Sequence, residues 1–85
     1  MSQIEAITVQ VKNWITGHFP LANELDIGPA DSLLESGIVD SLGTLDIVLY
    51  LEQHFGLVVE DEEVVADHFE SIEAISSFVV EKLKP

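Results

Sequence analysis

The sequence predicts an all-α protein, a four-helix bundle of three longer helices and one short third helix, with a long first loop. Three observations carry that expectation. Apolar residues recur at helical spacing in three separate stretches, each opened by a capping residue. A long aperiodic segment, punctuated by Gly28, Pro29 and Gly37, separates the first stretch from the second. No repeat, linker or low-complexity tract interrupts the 85 residues, which leaves one domain, 1–85, with one core.

The elements follow in order. Ser2, with Glu5 three residues later, has the form of a capping box. Behind it, Ile4, Ile7, Val11, Trp14 and Ile15 share a face of a first helix that ends near Gly17 and His18, before Pro20. Residues 19–40 show no sustained period, and connections of that length are functional or well anchored. Leu25, Leu33, Leu34 and Ile38 are the expected anchors, with a helical turn near residues 31–35. Asp40 suits the N-cap of a second helix that runs through Phe55 and stops at Gly56. The acidic run at residues 60–63 opens a short helix carrying Val64 and Val65. Ser71 caps the last helix, in which Ile72, Ile75, Phe78, Val79 and Leu83 share a face. Lys82 and Lys84 fall in its last turn, where cations suit the helix dipole.

Charge narrows the class of partner. There are 16 Asp plus Glu against three lysines and no arginine, a formal net charge of -13. A nucleic-acid binder needs a basic footprint, and anionic membrane surfaces would repel this chain. Partners with Lys and Arg patches fit it, although acidic charge also serves solubility alone. Without cysteine there is neither a disulfide framework nor a thiolate metal site. The opening MSQIEAITVQ lacks a basic leader before an apolar run. The longest uninterrupted apolar run, residues 47–51, is far short of a membrane span. A soluble, cytoplasmic, monomeric protein is expected.

The second helix is the informative one. At about 100° per residue, Ile47, Val48, Leu51 and Phe55 fall together and belong in the core. Leu42, Leu45 and Leu49 fall on roughly the opposite side, flanked by Asp46, Glu52 and Gln53. Either this helix is buried on most of its circumference, or it exposes a greasy strip with an acidic rim for basic partners. So small a bundle has few helices with which to cover both sides, which favours docking. At its start stand Asp40-Ser41-Leu42. A serine there is exposed where backbone N–H groups are unpaired and a phosphodiester is electrostatically welcome. Alone, the dipeptide Asp-Ser reads better as a doubled cap.

The wider pattern decides between those readings. Leu33-Leu34-Glu35-Ser36-Gly37-Ile38-Val39-Asp40-Ser41-Leu42, then a helix ending Leu51-Glu52-Gln53-His54-Phe55-Gly56, resembles the acyl carrier protein family. The likeness continues through Val59-Glu60-Asp61-Glu62-Glu63 and Phe69-Glu70-Ser71-Ile72 and covers nearly the whole chain. It implies a four-helix bundle whose motif serine, here Ser41, receives 4′-phosphopantetheine from coenzyme A through a phosphopantetheinyl transferase. The arm's thiol then holds an acyl or aminoacyl group as a thioester. Asp40 matches the family's acid before the serine and Leu42 the partner-contacting residue after it. Asp46 and Glu52 match acids along the recognition helix, beside Leu45 and Leu49. A freestanding carrier is implied, served by a loading ligase or synthase and by downstream biosynthetic enzymes with basic docking patches. Two departures bear on cargo. Housekeeping fatty-acid carriers commonly have an acid where Gly43 stands, and their glycine lies one residue closer to the serine than Gly37 does. Gly-Ile-Val-Asp-Ser-Leu-Gly is more similar to D-alanyl carriers and natural-product carriers.

Rival functions lack their parts. Ser41 has no Gly-x-Ser-x-Gly elbow, and His18, His54 and His68 sit in separate segments, so no catalytic residue is expected. Neither the run at 60–63 nor Asp67-His68 has the alternating spacing and glycine of a calcium loop, so no metal site is expected. The remaining alternative is an unloaded, carrier-like interaction module that docks basic partners through the second helix.

Overall fold

The computed structural model describes residues 3–84, which are helical with no β-strand among them. Helix α1 (Gln3–His18) buries Ile7, Val11 and Ile15, one residue per turn, and carries Trp14 half-buried beside them. Ile4, one turn earlier, is exposed. The expected capping box begins at Ser2, which lies outside the described residues.

Residues 19–40 do not form a single loop. Phe19 is extended and breaks the helix, and Pro20 then opens α2 (Pro20–Glu24), which places Ala22 in the core. Proline has a fixed φ and no N–H, so the first helical position suits it. Five residues are too few to display a helical period, which is why the element is silent in sequence. Of the expected anchors, Leu33 and Ile38 are buried and Leu34 half-buried, but Leu25 is exposed. Ile27 and Val39 take its place in the core. The turn expected near residues 31–35 is a run of turns rather than a helix. Two backbone hydrogen bonds fasten this loop to the far end of the chain. Leu33 N–H donates to the Glu70 carbonyl at 2.7 Å, and Glu73 N–H donates to the Pro29 carbonyl at 2.9 Å.

Helix α3 (Ser41–Phe55) forms as its caps dictate. Asp40 is extended and accepts a hydrogen bond from Gly43 N–H at 2.8 Å. Gly56 ends the helix at φ 69°, a left-handed geometry that glycine adopts without steric cost. Ile47 and Leu51 are fully buried, with Val48 and Phe55 half-buried beside them.

The expected third helix is split. A single 3₁₀ turn (Asp61–Glu63) closes on itself through a capping box between Glu60 and Glu63. Val64 and Val65 then leave helical geometry, and α4 (Ala66–Phe69) follows. Two consecutive β-branched residues are poor helix formers, and here they mark the break. Helix α5 (Ile72–Leu83) is capped by Ser71, whose hydroxyl accepts from Ala74 N–H at 3.0 Å. It buries Ile72, Ile75, Phe78 and Val79, while Leu83 is exposed. Lys82 lies in its last turn and Lys84 is its C-cap.

Three longer helices therefore surround one core, with α1 packed most extensively on α5, α2 on α1 and α4 on α5. Helix α3 meets the others mainly through side chains rather than close backbone approach. Trp14 and Tyr50 bridge it to α1, with ring centroids 4.4 Å apart.

The loop anchoring makes a direct prediction. Leu33→Ala should cost about 2–5 kcal/mol, the usual toll for a buried leucine. Leu25→Ala should stay within about 0.5 kcal/mol of wild type, as exposed positions do. Urea unfolding midpoints of the two variants check the contrast.

Candidate functional site

Ser41 opens α3 and is exposed. The cap at this helix start belongs to Asp40. Its carboxylate takes Gly43 N–H, while its carbonyl takes Thr44 N–H at 2.9 Å and the Thr44 hydroxyl at 3.0 Å. Among the described residues the Ser41 hydroxyl has no hydrogen-bond partner, so it is not spent on capping. It stands free at the positive end of a long helix.

Beside it lies an open groove of about 460 Å³. Leu34 and Val39 of the fastened loop form one wall, and Val64, Val65 and Phe69 form the other. Asp40, Ser41 and Thr44 line the same groove from α3. The valine pair placed in a helix by sequence thus serves as groove wall, because the chain is extended there. A clamp behind that wall holds it. Lys82 Nζ lies 2.8 Å from Glu63 Oε1, which also accepts Glu60 N–H at 3.0 Å. The Lys82 hydrogen bond, with help from the Glu60 N–H, holds the Glu63 carboxyl below the usual carboxylate range.

Gly43 is buried in the first turn, against the ring of Phe19. A Cβ there would meet Phe19 Cε1 at 3.0 Å and Val39 Cγ1 at 3.2 Å. The residue that departs from the fatty-acid carrier pattern therefore has a packing reason. Close approach of the α1–α2 junction to the Ser41 turn means that the Phe19 ring or Val39 must shift by a few tenths of an ångström to admit a side chain.

The second apolar stripe of α3 is not core. Leu42 is 74% exposed, Leu45 52% and Leu49 54%. Asp46 lies among them, its Oδ2 3.3 Å from Nε2 of His18 at the end of α1. The Glu52 carboxylate accepts Val59 N–H at 3.1 Å and ties α3 to the segment that follows it. The histidines stay apart from Ser41. His54 Nε2 contacts Gln10 Oε1 at 2.7 Å, and His68 Nδ1 contacts the Glu63 carbonyl at 2.8 Å. Among the described residues no group of three or more His, Asp or Glu could hold a metal ion, and no helix is long and apolar enough to cross a membrane.

Sequence reasoning missed Thr44, Val64, Val65 and Phe69 as neighbours of Ser41, and His18 as the neighbour of Asp46. Thr44 follows Ser41 by three residues in the same helix, whereas Val64, Val65 and Phe69 lie more than twenty positions on, where no local pattern announces them. The neighbour of Asp46 needs the crossing of α1 over α3.

The described residues thus form a small helical domain with an uncommitted serine at a helix start beside a largely apolar groove. The family model for the phosphopantetheine attachment site matches residues 16–79, and the chain belongs to that family. Such domains are carriers rather than catalysts, and they bear a 4′-phosphopantetheine prosthetic group. No curated protein matches the chain.

Two outcomes test this geometry. Gly43→Glu should destabilise the fold by about 1–3 kcal/mol through overpacking, and Phe19→Ala should lessen that cost when combined with it. Denaturant melts of the two single variants and the double variant measure the coupling. Because the Glu63 carboxyl is depressed in the folded state, its contribution is present above its unfolded value and fades as pH falls through the folded one. Glu63→Gln should therefore be less stable than wild type at neutral pH, with the gap closing in acid. A pH series of urea midpoints checks the sign.

Proposed function

We propose that this chain is a carrier in which Ser41 bears the phosphopantetheine arm and presents thioester-bound biosynthetic intermediates to successive enzymes. The observation that carries this reading is the free Ser41 hydroxyl at the groove, its capping role taken by Asp40. During loading by a phosphopantetheinyl transferase, the hydroxyl oxygen forms a bond to phosphorus as the pyrophosphate link of coenzyme A breaks. Adenosine 3′,5′-bisphosphate then departs. The arm, once bound, supplies the thiol that this cysteine-free chain lacks.

The chain's own residues supply placement. Asp40 fixes the first turn, and the helix end offsets the phosphodiester's charge. The groove walls offer apolar cover to whatever lies along them. Leu42, Leu45 and Leu49, with Asp46 among them, form the strip that meets the transferase, a loading ligase or synthase, and downstream enzymes. The basic patches of these partners complement the net charge of -13, and the same charge disfavours self-association. Glu52 supports the strip by holding α3 to Val59. The cargo is an aminoacyl or small carboxylic-acid unit, or a growing acyl chain. Gly43 weighs less in that choice once its contact with Phe19 is taken into account.

Incubation with coenzyme A and a broad-specificity transferase should add the mass of one arm, and Ser41→Ala should abolish the gain. A chain that gains nothing is an unloaded docking module, and one that gains mass without Ser41 carries the arm elsewhere. Leu42→Ala and Asp46→Lys should each lower kcat/KM for loading by about fivefold or more, as interface anchors do. Stability should move by no more than about 0.5 kcal/mol. Normal loading with early melting would place the strip in the core.

A further inference from the structure

His18 ends α1 with its ring against Trp14 and one ring nitrogen at Asp46. Its ring stacks on Trp14 at 4.5 Å between centroids and 12° between planes. Its Nε2 meets Asp46 Oδ2 at 3.3 Å, and both side chains are about half exposed. A planar cation laid on an aromatic face with its edge at a carboxylate is the arrangement that guanidinium groups favour. Trp14 is in turn stacked on Tyr50, and together with Asp46, Leu49 and Gln53 they line a shallow cleft of about 230 Å³. The cleft is continuous with the leucine strip through Leu49. Its apolar floor and acidic rim fit an aliphatic stem ending in a cation.

We propose that the docking surface extends from the leucine strip across the end of α1, where His18 occupies Asp46 until a lysine or arginine of a basic partner displaces it. The inference rests on the strip being the docking face. Asp46 on α3 is the charged group that meets His18, while Trp14 on its own helix and Phe19 before α2 present only rings. The His18 ring nitrogen and an incoming cation compete for the same Asp46 carboxylate, so freeing that carboxylate strengthens docking of a basic partner.

Loading by a phosphopantetheinyl transferase is the measurement. His18→Phe keeps a ring on Trp14 and removes the nitrogen that meets Asp46, and His18→Ala removes ring and nitrogen together. Relative to wild type, both should raise kcat/KM for loading about two- to fivefold. In an Asp46→Asn background the gain should vanish. No gain in either variant, or a gain that persists without the Asp46 carboxylate, overturns the proposal. If Asp46→Asn by itself leaves loading unchanged, the docking reading fails and this proposal falls with it. Circular dichroism melts confirm that each variant is folded.

Discussion

Everything at the Ser41 end of the molecule depends on how residues 25–40 are held down. A connection of that length costs conformational entropy to order, and it carries little regular structure to offset the cost. Two backbone hydrogen bonds do the fastening, one at Leu33 and one at Pro29, both to the α4–α5 junction. Leu33, Ile38 and Val39 are driven into the core at the same place. Polar pairing and apolar burial coincide there, so neither backbone groups nor side chains are left stranded. With Val39 fixed, Asp40 must emerge extended at the start of α3, where its carboxylate can reach Gly43 N–H. The cap, the free serine and the near wall of the groove are three results of one constraint.

Helix α3 is thereby fixed at its start and divided along its length. Its inner side is closed by Ile47 and Leu51 and, in the first turn, by the Phe19 ring against Gly43. Its outer side carries leucines that no neighbouring helix covers. A monomer commonly exposes single leucines, but three in register on one helix face form a contiguous feature. Because the inner side is packed to contact distance, the helix cannot roll to bury them. Rigidity on one side preserves exposure on the other. Gly43 thus belongs to packing first, and it informs cargo only through whatever a close Phe19 means for partners.

What was legible in the sequence was local. Asp40, Gly56 and Ser71 marked helix ends correctly because a cap is a contact between residues a few positions apart. The two stripes of α3 were separable because periodicity is a property of one helix. Failures came where neighbours decide. Pro20 opens a helix too short to show a period, and Val64-Val65 break off the turn that the acidic capping box starts. Leu25 was placed inside on hydrophobicity alone, whereas Ile27 is the residue that reaches the core. Glu52 lies on the acidic edge of α3 by position, and its carboxylate also takes a backbone N–H seven residues on, a contact that helical periodicity does not show. The motif Asp40-Ser41-Leu42 was legible as chemistry, and its groove was not, since the walls come from segments more than twenty positions apart.

Charge and the leucine strip act at different ranges, and that separates the two parts of recognition. A net charge of -13 is felt well beyond contact, speeds encounter with any basic surface and fades as salt screens it. It cannot distinguish one basic enzyme from another. On the proposed docking role, discrimination arises at contact distance, where Leu42, Leu45 and Leu49 ask for a matching apolar surface and Asp46 for a cation placed opposite it. A carrier has to leave each partner as readily as it meets it, so a small strip is an asset. A few exposed leucines give specificity without the large buried area that would make release slow. In that proposal the acidic surface governs how often partners are sampled, and the strip governs which of them stays long enough to reach the arm.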